Sequence, residues 1–284
     1  MVRPIFEVAL PPRALFAAHA AKRRLDSNPT GQPNKPVAEN DAGGFGKFFK
    51  KSIVSGSRIP PMFALRLALA IFLLPGIALA QELISFPTQD GGVVYADLYG
   101  KGERGVVLAH GGRFKKESWK EQAGVLEKAG FRVLAIDFRG RGQSRGPQSK
   151  PEDDGVQYDV LAAVRYLHKT GAKTVSVVGA SFGGAAAADA SIESEPGEIE
   201  RLVLLAAWTD QPPEKIKGRK LFIVARDDAN DDGPRLPKIR ENYEKCAGPK
   251  QLIILDGSAH AQFLFATDQG ERLMREILRF LTEP

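Results

Sequence analysis

Ser181 stands in the run Val177-Val178-Gly179-Ala180-Ser181-Phe182-Gly183-Gly184, between a β-branched apolar stretch and an alanine-rich one. A Gly-x-Ser-x-Gly pattern at such a junction predicts a strand, a sharp turn and a helix. Only glycine-sized neighbours let the two elements approach closely enough to lift the serine hydroxyl clear as a nucleophile. A serine nucleophile needs a base for its proton, a carboxylate to orient that base, and donors for the oxyanion that follows. Of the 4 histidines, His19 lies in an amino-terminal extension, His168 near the end of a helical pattern where the helix dipole favours it, and His110 directly after a predicted strand. His260, in Asp256-Gly257-Ser258-Ala259-His260, follows the last predicted strand and is the expected base. Between serine and histidine, Phe222-Ile223-Val224-Ala225-Arg226-Asp227-Asp228 ends a strand with two aspartates, either of which could orient the imidazole.

These residues need a frame. Leu83 to Phe86 and Val93 to Leu98 flank Asp90-Gly91-Gly92 as a hairpin, and Gly105–Ala109, Arg132–Ile136, Thr174–Val178, Arg201–Ala206, Lys220–Val224 and Gln251–Leu255 are short apolar runs. Helical patterns lie between and after them at Glu117–Lys128, Asp154–Lys169, Leu236–Lys245 and Glu271–Leu281; the second carries Val156, Val160, Val164 and Leu167 on one face. Strands alternating with helices predict an α/β fold, a mostly parallel sheet of about eight strands with helices on both faces. In such sheets functional residues gather at the carboxyl ends of strands, where Ser181, Asp228 and His260 all fall.

The first 80 residues read differently. Residues 62 to 80 combine a methionine, one arginine, an apolar core, a Pro-Gly break and a small-x-small end, the pattern of a secretory signal peptide cut after Ala80. Residues 1 to 61 show neither helical nor strand periodicity, and are expected to be an over-long or disordered extension ahead of a start at Met62. The catalytic domain is then 81–284. The net charge of +6 belongs to the leader, because residues 1–80 hold 11 Lys+Arg against 4 Asp+Glu and the remainder 29 against 30. The mature chain thus lacks the basic excess that nucleic acid binding requires, and no stable membrane span remains after signal cleavage. A single cysteine, Cys246, rules out an intramolecular disulfide. The histidines lack metal-ligand spacing, and no cofactor is expected.

The elbow, the alternating sheet and the order serine, aspartate, histidine together resemble the α/β-hydrolase superfamily over nearly all of residues 81–284. Two further segments match it: His110-Gly111-Gly112 is similar to its oxyanion segment after the third strand, and Asp137-Phe138-Arg139-Gly140-Arg141-Gly142-Gln143-Ser144 to its Asp-x-Arg-Gly-x-Gly-x-Ser turn after the fourth. The resemblance makes Asp228 the first choice for the triad acid, by the aspartate of a Gly-x-x-Asp turn with Ala225 in place of the glycine, and Asp227 the fallback. It implies the backbone N–H groups of Phe182 and Gly112 as oxyanion donors, with Arg113 as the substitute for Gly112, and His110 as a brace of that loop. Only Trp208 to Gly218 separates Ala207 from the next strand, leaving little room for a lid. That compactness resembles dienelactone-hydrolase-like members, although serine stands where they commonly carry cysteine. Phe114, Trp208 and Phe263 are the candidate lining of an acyl pocket. The resemblance implies a serine hydrolase acting on a small carboxylic ester or lactone; a peptidase, an amidase, an acyltransferase, or a binding protein on the same scaffold are the alternatives.

Overall fold

The computed structural model describes residues 81–148 and 154–283; the expected extension 1–61 and signal segment 62–80 lie outside them. Alternating side chains build the first hairpin. β1 (Glu82–Pro87) and β2 (Val93–Tyr99) pair antiparallel with Phe86 opposite Val94, and Gly91 takes the left-handed φ of 90° that their turn requires. The chain continues through β3 (Arg104–Ala109), α1 (Lys120–Lys128), β4 (Phe131–Ile136), α2 (Val156–Lys169), β5 (Thr174–Ala180) and α3 (Phe182–Glu193). β6 (Arg201–Leu205), β7 (Arg219–Ala225), the two-residue strands β8 (Ala229–Asn230) and β9 (Gly233–Pro234), α4 (Leu236–Lys245), β10 (Lys250–Leu255) and α5 (Gly270–Thr282) complete it.

Eight strands form one sheet in the order β1-β2-β4-β3-β5-β6-β7-β10, parallel except where β2 pairs with β1 and β4. Both faces are covered along the central strands β3, β4, β5, β6 and β7, which is why these are nearly continuous apolar runs while β1 and β2 alternate. In β3, Val107 and Ala109 join the core under α2, α3 and α4, whereas Val106 and Leu108 join the core under α1 and α5. In α5 the buried Leu273, Ile277 and Phe280 recur at helical spacing and supply one stripe of that second core.

β4 lies on one side of β3 and β5 on the other. The chain therefore reverses its winding at β3, and the loops after β3 and β5 diverge to leave a crevice at the carboxyl end of the sheet. The Asp137-to-Ser144 turn anchors one wall. Arg139, fully buried, pairs with Asp159 of α2 at 2.7 Å and with Asp90 of the hairpin at 2.8 Å, and Ser144 Oγ accepts the Tyr95 N–H at 2.8 Å.

Two helix starts differ from the periodicity. The pattern over 117–128 opens as a 3₁₀ turn, Lys116–Trp119, that drives Trp119 into the core before α1 begins. The helix expected from Asp154 starts at Val156, because Arg139 takes the Asp154 carbonyl at 2.7 Å and Gly155 turns left-handed at φ 84°. Among the described residues no helix is long and apolar enough to cross a membrane.

Candidate active site

β5 delivers Ser181 to the crevice. Its N–H bonds the Leu205 carbonyl at 2.8 Å, its own carbonyl accepts the N–H groups of Gly184 and Ala185, and its φ of 51° with ψ of −116° is a conformation that non-glycine residues rarely hold. The flanking glycines are required by contact. A β-carbon on Gly179 would sit 2.5 Å from the Gly183 carbonyl oxygen, and one on Gly183 would sit 2.5 Å from that of His110. Strand, elbow and the loop after β3 are thus packed backbone against backbone.

The other two groups come from neighbouring strand ends. His260 Nδ1 donates to Asp228 Oδ2 at 2.7 Å, leaving Nε2 to accept the Ser181 hydroxyl proton at 2.8 Å. The Asp228 side chain is fully buried, while that of His260 is 27 % exposed, so the imidazole keeps an edge open to solvent. Of the two aspartates, Asp228 meets the histidine; Asp227 is exposed and uses its N–H on the Gly257 carbonyl.

A contact with no sequence signal surrounds Asp228. The β8–β9 hairpin folds the chain back so that the Arg235 N–H reaches the Asp228 carbonyl at 2.9 Å and Arg235 Nε lies 3.2 Å from Asp228 Oδ1. The side-chain contact is an ion pair outside hydrogen-bond alignment, so its pull is electrostatic. The guanidinium also lies over the Trp208 ring, 6.0 Å from its centroid, which places Trp208 on the Asp228 side of the site.

On the other side, Phe182 opens α3 with its N–H at the elbow, and a β-carbon on Gly112 would be 3.7 Å from that of Phe182. The Gly111 N–H is already committed, donating to Gln262 Oε1 at 2.7 Å. His110 is fully buried, donates from Nδ1 to the Gly111 carbonyl at 2.9 Å and accepts the Phe138 N–H on Nε2 at 3.3 Å. Burial pulls its pKa down to about 4, so the ring is a neutral tie between the loops after β3 and β4. His168 lies between the carbonyls of Ala172 and Glu198.

Phe114 and Phe263 meet with ring centroids 5.0 Å apart, Phe263 being 46 % exposed. The Phe263 N–H bonds the His260 carbonyl, so Phe263 sits in the turn after His260 and meets Phe114 of the loop after β3. A recess of about 320 Å³ lined by Glu103, Lys173 and Arg201 opens at the amino ends of β3, β5 and β6 and shares no lining residue with Ser181. Among the described residues no group of three or more His, Cys, Asp or Glu is placed to hold a metal ion.

Comparison with known proteins agrees with this frame. The sequence profile of the alpha/beta hydrolase family matches residues 106–277. A non-heme chloroperoxidase from Streptomyces lividans is 31 % identical over 170 residues, 60 % of this chain and 56 % of that protein, so the match spans about half of the relative's length. Among solved structures, an esterase from Pyrococcus furiosus superposes with a TM-score of 0.58 at 19 % identity, covering 72 % of this chain and 94 % of that one. A dienelactone hydrolase from Anabaena variabilis gives 0.57 at 21 %, covering 71 % and 96 %. At such identities the likeness to these structures is one of fold.

Proposed function

The chain belongs to the alpha/beta hydrolase family, and on that premise we propose that it is a serine hydrolase cleaving a small carboxylic ester or lactone. The observation that carries this reading is the hydrogen-bonded relay of Ser181, His260 and Asp228 at 2.8 and 2.7 Å, with the serine on a strained turn at φ 51°. Ser181 Oγ attacks the carbonyl carbon as its proton passes to His260 Nε2, and the carbonyl π pair moves onto oxygen, facing the N–H groups of Phe182 and Gly112. Such donors act on charge that exists only after attack, and losing one costs a serine hydrolase about 10²–10³ in kcat. The tetrahedral species collapses, and the departing alkoxide takes the proton from Nε2. Water then attacks the acyl-enzyme with His260 as base, and Ser181 leaves reprotonated as the acid is released. The buried Asp228 holds the Nδ1–H tautomer and stabilises the transient imidazolium. The exposed Phe263, packed against the half-buried Phe114, suits an apolar group of the substrate.

A fluorophosphonate tests the reading. One adduct by intact mass on the parent and none on Ser181→Ala is expected; no adduct on a folded parent would overturn it. An acyltransferase would form the same adduct and would differ in passing the acyl group to an added alcohol or amine in preference to water. Residues 62–80 support a further proposal, that the protein is exported and its mature chain begins at Gln81; an amino terminus ahead of Met62 in the natural protein would contradict it.

A further inference from the structure

Gln262 lies two residues past His260, in the 3₁₀ turn Ala261–Ala266, and is 7 % exposed. Both ends of its amide are used. Oε1 accepts the Gly111 N–H at 2.7 Å, and Nε2 donates to Ser118 Oγ at 2.8 Å. The orientation of the amide follows from the network itself: the Gly111 N–H can only donate, and Ser118 spends its own proton on the Lys115 carbonyl at 2.6 Å, so its oxygen must accept. The intervening Ala261 is held at φ 51°, left-handed without being glycine, in the turn that presents the base on one side and the glutamine on the other.

From this geometry we infer that Gln262 is a positioning residue for the oxyanion loop, locking it to the loop that carries the base. The inference rests on the serine-hydrolase reading. Three consecutive amides, those of Gly111, Gly112 and Arg113, could in principle turn toward the developing charge. Gln262 removes the first by binding it 2.7 Å away, and the Phe114 N–H closes a turn onto the Gly111 carbonyl at 3.0 Å. The segment between, Gly112 and Arg113, is then pinned at its leading edge beside Phe182. His110 holds the next peptide, the one whose N–H is that of Gly112, by donating to the Gly111 carbonyl. Since Gln262 and His260 belong to one turn, the acceptor of the serine proton and the donors to the oxyanion are set at a fixed separation before substrate arrives. Pre-set donors need no reorganisation at the moment of reaction, which is the source of their effect.

The test pairs Gln262→Met, which keeps length and loses the acceptor, with Ser118→Ala, which cuts only the far end of the network. With p-nitrophenyl acetate, Gln262→Met is expected to lower kcat by about 10–100-fold, the scale of an ångström-sized misplacement, with KM within about threefold. Ser118→Ala should stay within about threefold of the parent in both constants. Independently of any turnover, the Gly111 amide in the full chain should exchange with deuterium faster in Gln262→Met than in the parent. A Gln262→Met enzyme with parental kcat and a protected Gly111 amide overturns the inference. So does an equal fall of kcat and melting temperature in both variants, which would mark plain packing. If the parent itself takes no fluorophosphonate, the hydrolase reading falls, and Gly111 exchange still decides whether Gln262 holds the loop.

Discussion

Replacing Asp228 by asparagine tests how the surroundings of one buried carboxylate set the state of the imidazole. The side chain is fully buried between a hydrogen-bond donor, His260 Nδ1 at 2.7 Å from Oδ2, and a cation, the Arg235 guanidinium, whose Nε lies 3.2 Å from Oδ1 out of hydrogen-bond alignment. A carboxylate turns an oxygen to each, whereas an asparagine has one oxygen and must turn its NH₂ toward one of them. Arginine is always cationic and has no acceptor, so the amide oxygen goes to Arg235 and the NH₂ faces His260. The imidazole can meet an NH₂ only by making Nδ1 an acceptor. Its proton then sits on Nε2, where it points at Ser181 Oγ and cannot receive the serine proton. In a serine-protease triad the same loss of tautomer costs about 10⁴ in kcat, roughly 5 kcal/mol of transition-state stabilisation, and that size is expected here.

The assay is kcat/KM for p-nitrophenyl acetate in Asp228→Asn, Asp227→Asn, Arg235→Met and the double variant Asp228→Asn/Arg235→Met. With the guanidinium gone, the amide is free to rotate its oxygen back to His260. The double variant should therefore exceed Asp228→Asn by about tenfold, the equivalent of 1.4 kcal/mol. A double variant no better than Asp228→Asn would refute the orienting part played by Arg235. A loss in Asp227→Asn as deep as in Asp228→Asn would refute the assignment of the acid, since Asp227 is exposed and only its backbone meets the histidine loop.

Two further expectations concern stability. Burial holds His110 at about 4 in the fold. The unfolded chain takes up that proton near 6.5, so the histidine's contribution to stability falls as pH drops from about 6.5 to 4, by up to about 3 kcal/mol. Asp189, which burial pushes up to about 6, acts in the opposite sense, its folded carboxyl keeping a proton that the unfolded one releases, so its contribution is lost as pH rises through about 6. Denaturant melts of the parent against His110→Gln at about pH 7 and about pH 4.5 isolate the histidine; equal acid losses in both proteins would refute its neutral state. Gly183→Ala should destabilise by about 1–3 kcal/mol through the clash of its β-carbon with the His110 carbonyl oxygen, whereas Gly124→Ala in α1, where a β-carbon meets nothing within 4 Å, should stabilise by up to about 1 kcal/mol. Thermal melts check both, and a neutral Gly183→Ala would show that β3 and α3 are not packed as tightly as described.

The sheet was readable because its strands are buried on both faces, so that Val106 to Ala109 or Leu221 to Val224 appear as unbroken apolar runs with helical periods between them. What escaped were the short irregular pieces. β8 and β9 have two residues each and no period, and the helix start at Val156 is set by the capture of the Asp154 carbonyl by Arg139, a contact between residues fifteen apart. The same division runs through the site. Ser181 and His260 were nameable from residue type, local glycines and order along the chain. Asp227 and Asp228 are chemically identical neighbours; the resemblance put Asp228 first, and the turn after β7 does turn Asp228 toward the imidazole.

Arg235 and Gln262 carry no motif at all, yet each meets a group that matters through a side-chain contact made by a turn whose shape the sequence does not spell out. The two lie at opposite ends of the relay, one beside the carboxylate and one beside the oxyanion loop. Both reach their targets from segments that follow a member of the hydrogen-bonded relay: Arg235 by the hairpin after Asp228, Gln262 by the turn after His260. Ser181, Asp228 and His260 are thus placed by strand ends, while the contacts around them come from the loops that follow. Substitutions in those loops should therefore change rate at nearly constant fold stability, whereas substitutions in the glycines of the elbow should change both together.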